Sequence, residues 1–364
     1  MRVLVLGGTH FLGRHVVETL LERGHHATLF HRGETGADLF PDVERVLGDR
    51  TRDLDRLPSG ARWDAVVDTS AYVPGTVAAS AGALRDRAGQ YVFVSSVSVF
   101  DIAQPAIDES SAMLALPEHA SREEMVPETY GPLKRLCELE AVAAFGAERT
   151  LVVRPGLIVG PYDPTDRFTY WPLRFARGGD VAVPDDLDAP VQWIDARDAA
   201  AFVVHGIERR LAGDVNVVGP ARPAVLRELF DGCLRARDAR AVRQVQGDTK
   251  TAEDMSTPRD TTAADDGGSG VRVVRVPVGV VDACEVKPWS DLPCWVPRGR
   301  GLDGITRVDP TRAIGMGLRH RPLDVTIADT LRWARDARTN VPLKAGLTPE
   351  REAQLLAAFS AGSS

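Results

Sequence analysis

The sequence is short of every feature that would carry a protein out of the cell or into a bilayer. It has four cysteines, Cys137, Cys233, Cys284 and Cys294. None forms a Cys-x-x-Cys pair or sits among histidines at zinc-ligand spacing, so neither a disulfide framework nor a metal site is expected. They read as reduced thiols of a cytoplasmic protein. No apolar run approaches the roughly 20 residues of a membrane helix, and Met1–Leu6 is too short for a signal-peptide apolar region before glycines intervene. An excess of positive charge is missing as well. With 51 acidic against 44 basic residues the net charge is −7, which gives no overall attraction for nucleic acid or anionic lipid. A small, locally recognised molecule is the expected partner.

What is present is a rhythm. Arg2–Leu6, Ala27–His31, Glu44–Leu47, Ala65–Asp68, Tyr91–Ser95 and Leu151–Arg154 are short apolar runs that read as strands. Phe11–Arg23, Pro74–Arg87 and Tyr130–Phe145 lie between them with apolar residues at helical spacing. Alternation of this kind predicts an α/β fold, a doubly wound parallel sheet of the Rossmann type. After Pro155 the rhythm breaks. Val191–Ile194 and Val215–Val218 are strand-like, and Ala199–Arg209 between them is helix-like. The length of 364 residues and the 44% hydrophobic content suit two lobes. We expect a sheet domain over 1–165 with 190–220 returning to it, and a smaller substrate lobe over 166–345. Residues 246–270 are polar and read as a flexible insertion, and Ser360–Ser364 as a frayed tail.

The turn Gly7-Gly8-Thr9-His10-Phe11-Leu12-Gly13 joins the first strand to the first helix. Free amides and the dipole at that helix N-terminus favour a pyrophosphate. Gly7 permits the tight turn and Gly13 close packing of helix on strand. His10 stands where a glycine is usual, and there it or Arg14 is placed to lean over phosphates. The second strand ends without the acid that holds the ribose of NAD. Arg32 follows instead and suits a 2′-phosphate, so NADP(H) is expected over NAD(H). Asp49 and Arg50, where the third strand ends, are candidates for the adenosine side.

Tyr130-Gly131-Pro132-Leu133-Lys134 places a phenol and an ammonium four residues apart on one helix face. With Thr129 as N-cap, Pro132 falls in the first turn, where its missing N–H costs nothing. Hydride transfer at a carbonyl needs a proton delivered at oxygen. Tyrosine's ordinary pKa of about 10 is too high for that at neutral pH, and a neighbouring ammonium lowers it. Ser95-Ser96-Val97-Ser98 ends the fifth strand, at the sheet edge where ligands bind.

Together these residues resemble the short-chain dehydrogenase/reductase superfamily, in its extended and atypical branch of NAD(P)-dependent epimerases, dehydratases and reductases. The likeness runs from the glycine turn through Tyr91–Phe100 and Tyr130–Lys134 to Arg154–Pro161. It implies Ser96, three residues before Val99-Phe100, as the catalytic serine, with Tyr130 and Lys134. It also implies that Thr69, Ser70, Ala71, Pro155, Gly156 and Ile158 line the cofactor together with Tyr130 and Lys134. In many members of that superfamily the helices corresponding to Pro74–Arg87 and Tyr130–Phe145 pair across a homodimer, and the likeness leaves a homodimer open here. The chain departs from the family pattern at His10 and in lacking an asparagine after Asp68.

Phe168, Tyr170, Trp171, Arg174, Gln192 and Trp193 read either as substrate contacts for a polar ring compound or as packing of the second lobe. Asp195 and Arg197 read as an ion pair or as substrate contacts. The expected reaction is reduction of a carbonyl on a sugar or secondary-metabolite ring. Two alternatives remain: a sugar or sugar-nucleotide epimerase or dehydratase with tightly held NAD(P), and a non-catalytic Rossmann protein that binds RNA or regulates.

Overall fold

The computed structural model describes residues 1–245, 270–338 and 341–362; the expected insertion at 246–270 lies outside them except for its last residue. The strands in chain order are β1 (Arg2–Leu6), β2 (His26–His31), β3 (Glu44–Leu47), β4 (Ala65–Asp68), β5 (Tyr91–Val94), β6 (Thr150–Pro155), β7 (Ile158–Val159), β8 (Gly179–Pro184), β9 (Pro190–Asp195), β10 (Gly213–Val217), β11 (Gly219–Val225) and β12 (Val271–Val276). The helices are α1 (Phe11–Glu22), α2 (Pro74–Leu84), α3 (Tyr130–Phe145), α4 (Tyr170–Arg177), α5 (Ala196–Glu208), α6 (Leu226–Val245), α7 (Val278–Ala283), α8 (Thr311–Gly315), α9 (Leu323–Ala337) and α10 (Pro349–Gly362). No helix among the described residues is long and apolar enough to cross a membrane.

The chain divides into two compact units. The first holds Met1–Pro164, Pro190–Ala224 and Arg298–Arg321; the second holds Thr165–Ala189, Val225–Pro297 and Pro322–Ser364. The substrate lobe expected over 166–345 is therefore not one stretch. The segment Arg298–Arg321 belongs with the sheet, where Gln192 on β9 grips the backbone of Val308 through both ends of its amide. Polar side chains spent on backbone at long range carry no periodic signal, which is why the sequence concealed this return.

The first unit is built on a seven-stranded sheet in the order β10-β6-β5-β4-β1-β2-β3, with every neighbouring pair parallel. Strands covered on both faces read as unbroken apolar runs, and β1 shows why. Val3 and Val5 face a cluster with Val16, Val17 and Leu20 of α1 and Phe202 and Val203 of α5. Leu4 and Leu6 face the other way, against Val77 and Leu84 of α2 and Cys137, Ala141 and Phe145 of α3. Alternate residues of the run thus serve two different cores. The strand β10 returns to this sheet as expected, whereas β9 pairs into a separate three-stranded sheet, β11-β9-β7.

Within the second unit Arg174 on α4 meets Glu352 on α10 through Nε at 2.7 and 2.8 Å, and both side chains are buried. The helix α10 continues through Gly362, so the tail expected to fray from Ser360 is helical up to that point.

The helix α3 is fixed to the sheet by a second buried pair. Arg154 on β6 donates from Nε to Glu138 Oε1 at 2.8 Å and from Nη2 to Glu138 Oε2 at 2.9 Å, and its Nη1 reaches Asp214 at 2.7 Å. Glu138 and Arg154 are each 1% exposed. Removing one partner leaves the other charge buried without its two-point match, at a cost of about 3–5 kcal/mol. Glu138→Ala is therefore expected to lower unfolding stability by that amount in urea melts, and a loss below about 1 kcal/mol would contradict the role given to the pair.

Candidate active site

The glycine turn is shaped by what lies against it. Gly7 and Gly8 have φ of +108° and +93°, a region that side chains disfavour. A Cβ on Gly7 would lie 2.6 Å from Thr69 Oγ1, and one on Gly13 would lie 3.0 Å from the Gly8 nitrogen. The Thr69 loop is pinned in turn, its Oγ1 donating to the Leu6 carbonyl at 3.0 Å. His10 is the N-cap of α1 with extended backbone and makes no side-chain cap, so no capping side chain occupies the first-turn amides. His10 itself is exposed. Those amides and the bare glycine backbone fit a pyrophosphate. Phe11 takes φ of +37°, and strained backbone of this kind gathers at binding turns. The expectation for Arg14 is corrected: its guanidinium stacks 3.6 Å above the Tyr162 ring and bonds Glu18 at 2.8 Å.

At the end of β2 the structure adds a residue that sequence reasoning passed over. His31 is 9% exposed. The Gly33 amide donates to its Nδ1 at 3.0 Å, so in the neutral ring the proton sits on Nε2. That Nε2 is buried and has no hydrogen-bond partner among the described residues. Burial and nearby Arg45 push the His31 pKa down. The signal was available, since His31 occupies the last position of the strand, where an acid marks NAD. Arg32 is open to solvent and paired with Glu34 at 2.8 Å, a surface pair that exchanges readily. Asp49 turns its Oδ1 inward to the Thr51 amide and hydroxyl, which hold its carboxyl below the usual range.

Arg50 departs from the adenosine role expected of it. Its guanidinium donates to both oxygens of Asp68 and to Ser80. Burial opposes its charge, yet Asp68 beside it raises its pKa. It is part of the interior.

The three residues expected to carry proton transfer lie past the end of β5 and along the first turns of α3. Ser96 caps the short turn after β5, its Oγ accepting from the Ser98 amide at 3.1 Å and donating to Ser98 Oγ at 3.1 Å. The helix α3 starts at Tyr130 with Thr129 as N-cap, as expected. Its second residue, Gly131, packs so closely on the Ser98 carbonyl that a Cβ would overlap it, which brings Tyr130 to the serine turn. One helical turn further on, Lys134 is 3% exposed. Its Nζ donates to the Val94 carbonyl at 2.6 Å and the Ala71 carbonyl at 2.9 Å. Burial pulls its pKa down to about 8, so the ammonium persists at neutral pH and is lost just above it. Tyr72, also missed, lies with its ring 6.3 Å from that of Tyr130 and 5.6 Å from Lys134 Nζ.

Ser70 lies beside Leu6, to whose carbonyl its Oγ donates at 3.3 Å. Pro155 closes β6, Gly156 abuts Val218, and Ile158 opens β7 opposite Ile194. The expected substrate contacts are corrected. Phe168 and Trp171 are fully buried in the second unit, and Tyr170 is 2% exposed. Trp171 Nε1 donates to the Pro293 carbonyl at 2.7 Å, and Arg174 is held by Glu352. Gln192 is spent on Val308, and Trp193 is buried on β9. Packing of their own units accounts for them. Asp195 and Arg197 form an ion pair at 2.8 Å.

Residues 3–219 match the model of the NAD dependent epimerase/dehydratase family. That is more than half of the chain, and the protein belongs to this family. Among curated proteins, the chain is 39% identical over 72 residues to a 3-beta-hydroxysteroid dehydrogenase of Mycolicibacterium neoaurum, covering 20% of each. It is 29% identical over 241 residues to the 2'-dehydrokanamycin reductase of Streptomyces kanamyceticus, covering 64% of this chain and 65% of that one. The matches thus span a fifth and just under two thirds of those relatives. Among solved structures, the Bordetella bronchiseptica enzyme WbmH in complex with NAD+ aligns with a TM-score of 0.60 at 18% identity, covering 93% of this chain and 99% of that one. That likeness is one of fold. The seven-stranded parallel sheet with its flanking helices is of the Rossmann type.

The approach of Gly131 to Ser98 offers a test. Gly131→Ala forces α3 off the serine turn and is expected to cost about 1–3 kcal/mol in thermal or urea unfolding. Unchanged stability would refute this close packing.

Proposed function

We propose that the protein is an NADP(H)-dependent reductase acting on a carbonyl of a small polar ring compound such as a sugar or a secondary-metabolite intermediate. The observation that carries the reading is the buried ammonium of Lys134, one helical turn from Tyr130 and beside the Ser96–Ser98 turn. The cofactor, when bound, supplies the hydride. Tyr130 Oη hands the proton to the carbonyl oxygen, and the positive charge of Lys134 stabilises the phenolate left behind. Ser96 Oγ orients the carbonyl by donating to it, giving up its bond to Ser98. Water is kept from Lys134 by the Phe93 ring, 4.3 Å from Nζ. Reduction is favoured over epimerisation by the reductase relative. The phosphate preference is favoured by a β2 end that carries His31 and Arg32 with no carboxylate directly at the strand terminus. The four free cysteines are in keeping with a cytoplasmic site of action.

The test is hydride transfer from NADPH to a panel of cyclic ketones and keto-sugars, together with mass spectrometry of nucleotide retained on the purified protein. Reversible NADPH binding with turnover supports the reductase, and tightly held oxidised cofactor without net reduction points to epimerisation instead. Tyr130→Phe is expected to lower kcat by about 10²–10⁴-fold with NADPH binding retained; full activity in that variant would sink the mechanism. Arg32→Ala is expected to cut the preference for NADPH over NADH by about tenfold, the size of one charge-assisted contact. An unchanged ratio of the two KM values would remove Arg32 from the account.

A further inference from the structure

The mechanism gives no task to the buried carboxylate that ends β4. Asp68, at the end of β4, is 0% exposed. Its Oδ1 accepts from the Ser70 amide at 3.2 Å, which bends the chain just before Ala71, and the Ala71 carbonyl accepts from Lys134 Nζ at 2.9 Å. On its other side the carboxylate is held by Arg50 and by the phenol of Tyr91, which donates to Oδ2 at 2.7 Å. Arg50 is steadied by Ser80, at 2.7 Å. An interior carboxylate with this many donors stays charged. Burial works against its ionisation, but Arg50 and the hydrogen bonds hold its pKa low.

We propose that Asp68 is a positioning residue for Lys134, fixing the 69–71 turn that anchors the ammonium and supplying the negative charge that keeps it protonated, with Arg50 and Tyr91 holding Asp68 in place. The proposal rests on reading Lys134 as part of the proton-transfer group. Three other groups act on the ammonium, one after β3 and two on α3 itself. Arg50 acts against the ammonium, while Cys137 and Glu138 on α3 favour it along with Asp68. The rings of Tyr72 and Phe93 border it at 5.6 and 4.3 Å. Of the two members of the buried pair, Asp68 has the larger influence on Lys134. Loss of the pair as a whole therefore still favours the neutral amine.

The chain has only four lysines, Lys134, Lys250, Lys287 and Lys344, so lysine carrying ¹³C at Cε gives a countable NMR spectrum. The Lys134 signal is the one lost in Lys134→Met. In the wild-type protein it is expected to titrate near pH 8. In Asp68→Asn the amide oxygen can still accept from Ser70, so the turn is kept, while the charge is removed together with the bonds that Oδ2 accepts from Arg50 and Tyr91. The midpoint is expected to fall by about one pH unit. If Asp68→Asn fails to fold because Arg50 is left unpaired, Arg50→Met/Asp68→Asn leaves no buried charge unmatched and is expected to shift the midpoint in the same direction by less. A folded variant of either kind with the wild-type midpoint overturns the proposal. The titration is read without substrate or cofactor. Its failure is thus separable from that of the reductase reading, which Tyr130→Phe tests.

Discussion

A single ammonium buried between two backbone carbonyls sets the geometry on which the site depends. Lys134 can sit inside the protein only because Val94, at the end of β5, and Ala71, past the end of β4, both turn a carbonyl toward it. An unmatched charge there would be costly. Those carbonyls belong to the sheet edge where the glycine turn also lies, since Thr69 and Ser70 in the same loop bond the last residue of β1. The residues proposed for proton transfer and the glycine turn are therefore both fastened to the stretch Thr69–Ala71. Displacing that stretch disturbs both.

Much of this was legible in the amino acids. Six strands and three helices of the first unit announce themselves because a two-sided parallel sheet demands contiguous Val and Leu runs separated by amphipathic helices. The glycine turn, Ser96, Tyr130 and Lys134 can be singled out because the chemistry proposed for them requires particular residue types at fixed spacing. What escaped was the part specified by long-range polar contacts. Gln192 binding Val308 and Arg174 binding Glu352 join residues more than 100 positions apart, and nothing local marks them. Arg50 was misread for the same reason. Its place after β3 suggested a nucleotide contact, whereas Asp68, eighteen residues on, claims it. Aromatic residues clustered in sequence gave the opposite error, since Phe168, Tyr170 and Trp171 serve the core of the second unit.

His31 shows a different limit. Its identity was visible, but its meaning lies in a hydrogen bond from Gly33 that consumes one ring nitrogen and leaves the other as a buried donor. Residue type alone gives two nitrogens with interchangeable roles. The fold makes them unequal, and it does so at the strand end proposed to meet the ribose.

The helix α3 carries Tyr130, Lys134 and Glu138 at successive intervals of four, and these meet, in turn, the Tyr72 ring, the two carbonyls and Arg154. Since each residue advances a helix by about 100°, inserting or deleting one residue between Tyr130 and Glu138 would rotate part of this row off its partners. The helix is thus a ruler as well as a wall. Its length between these three marks can change only if the surroundings of all three are rebuilt.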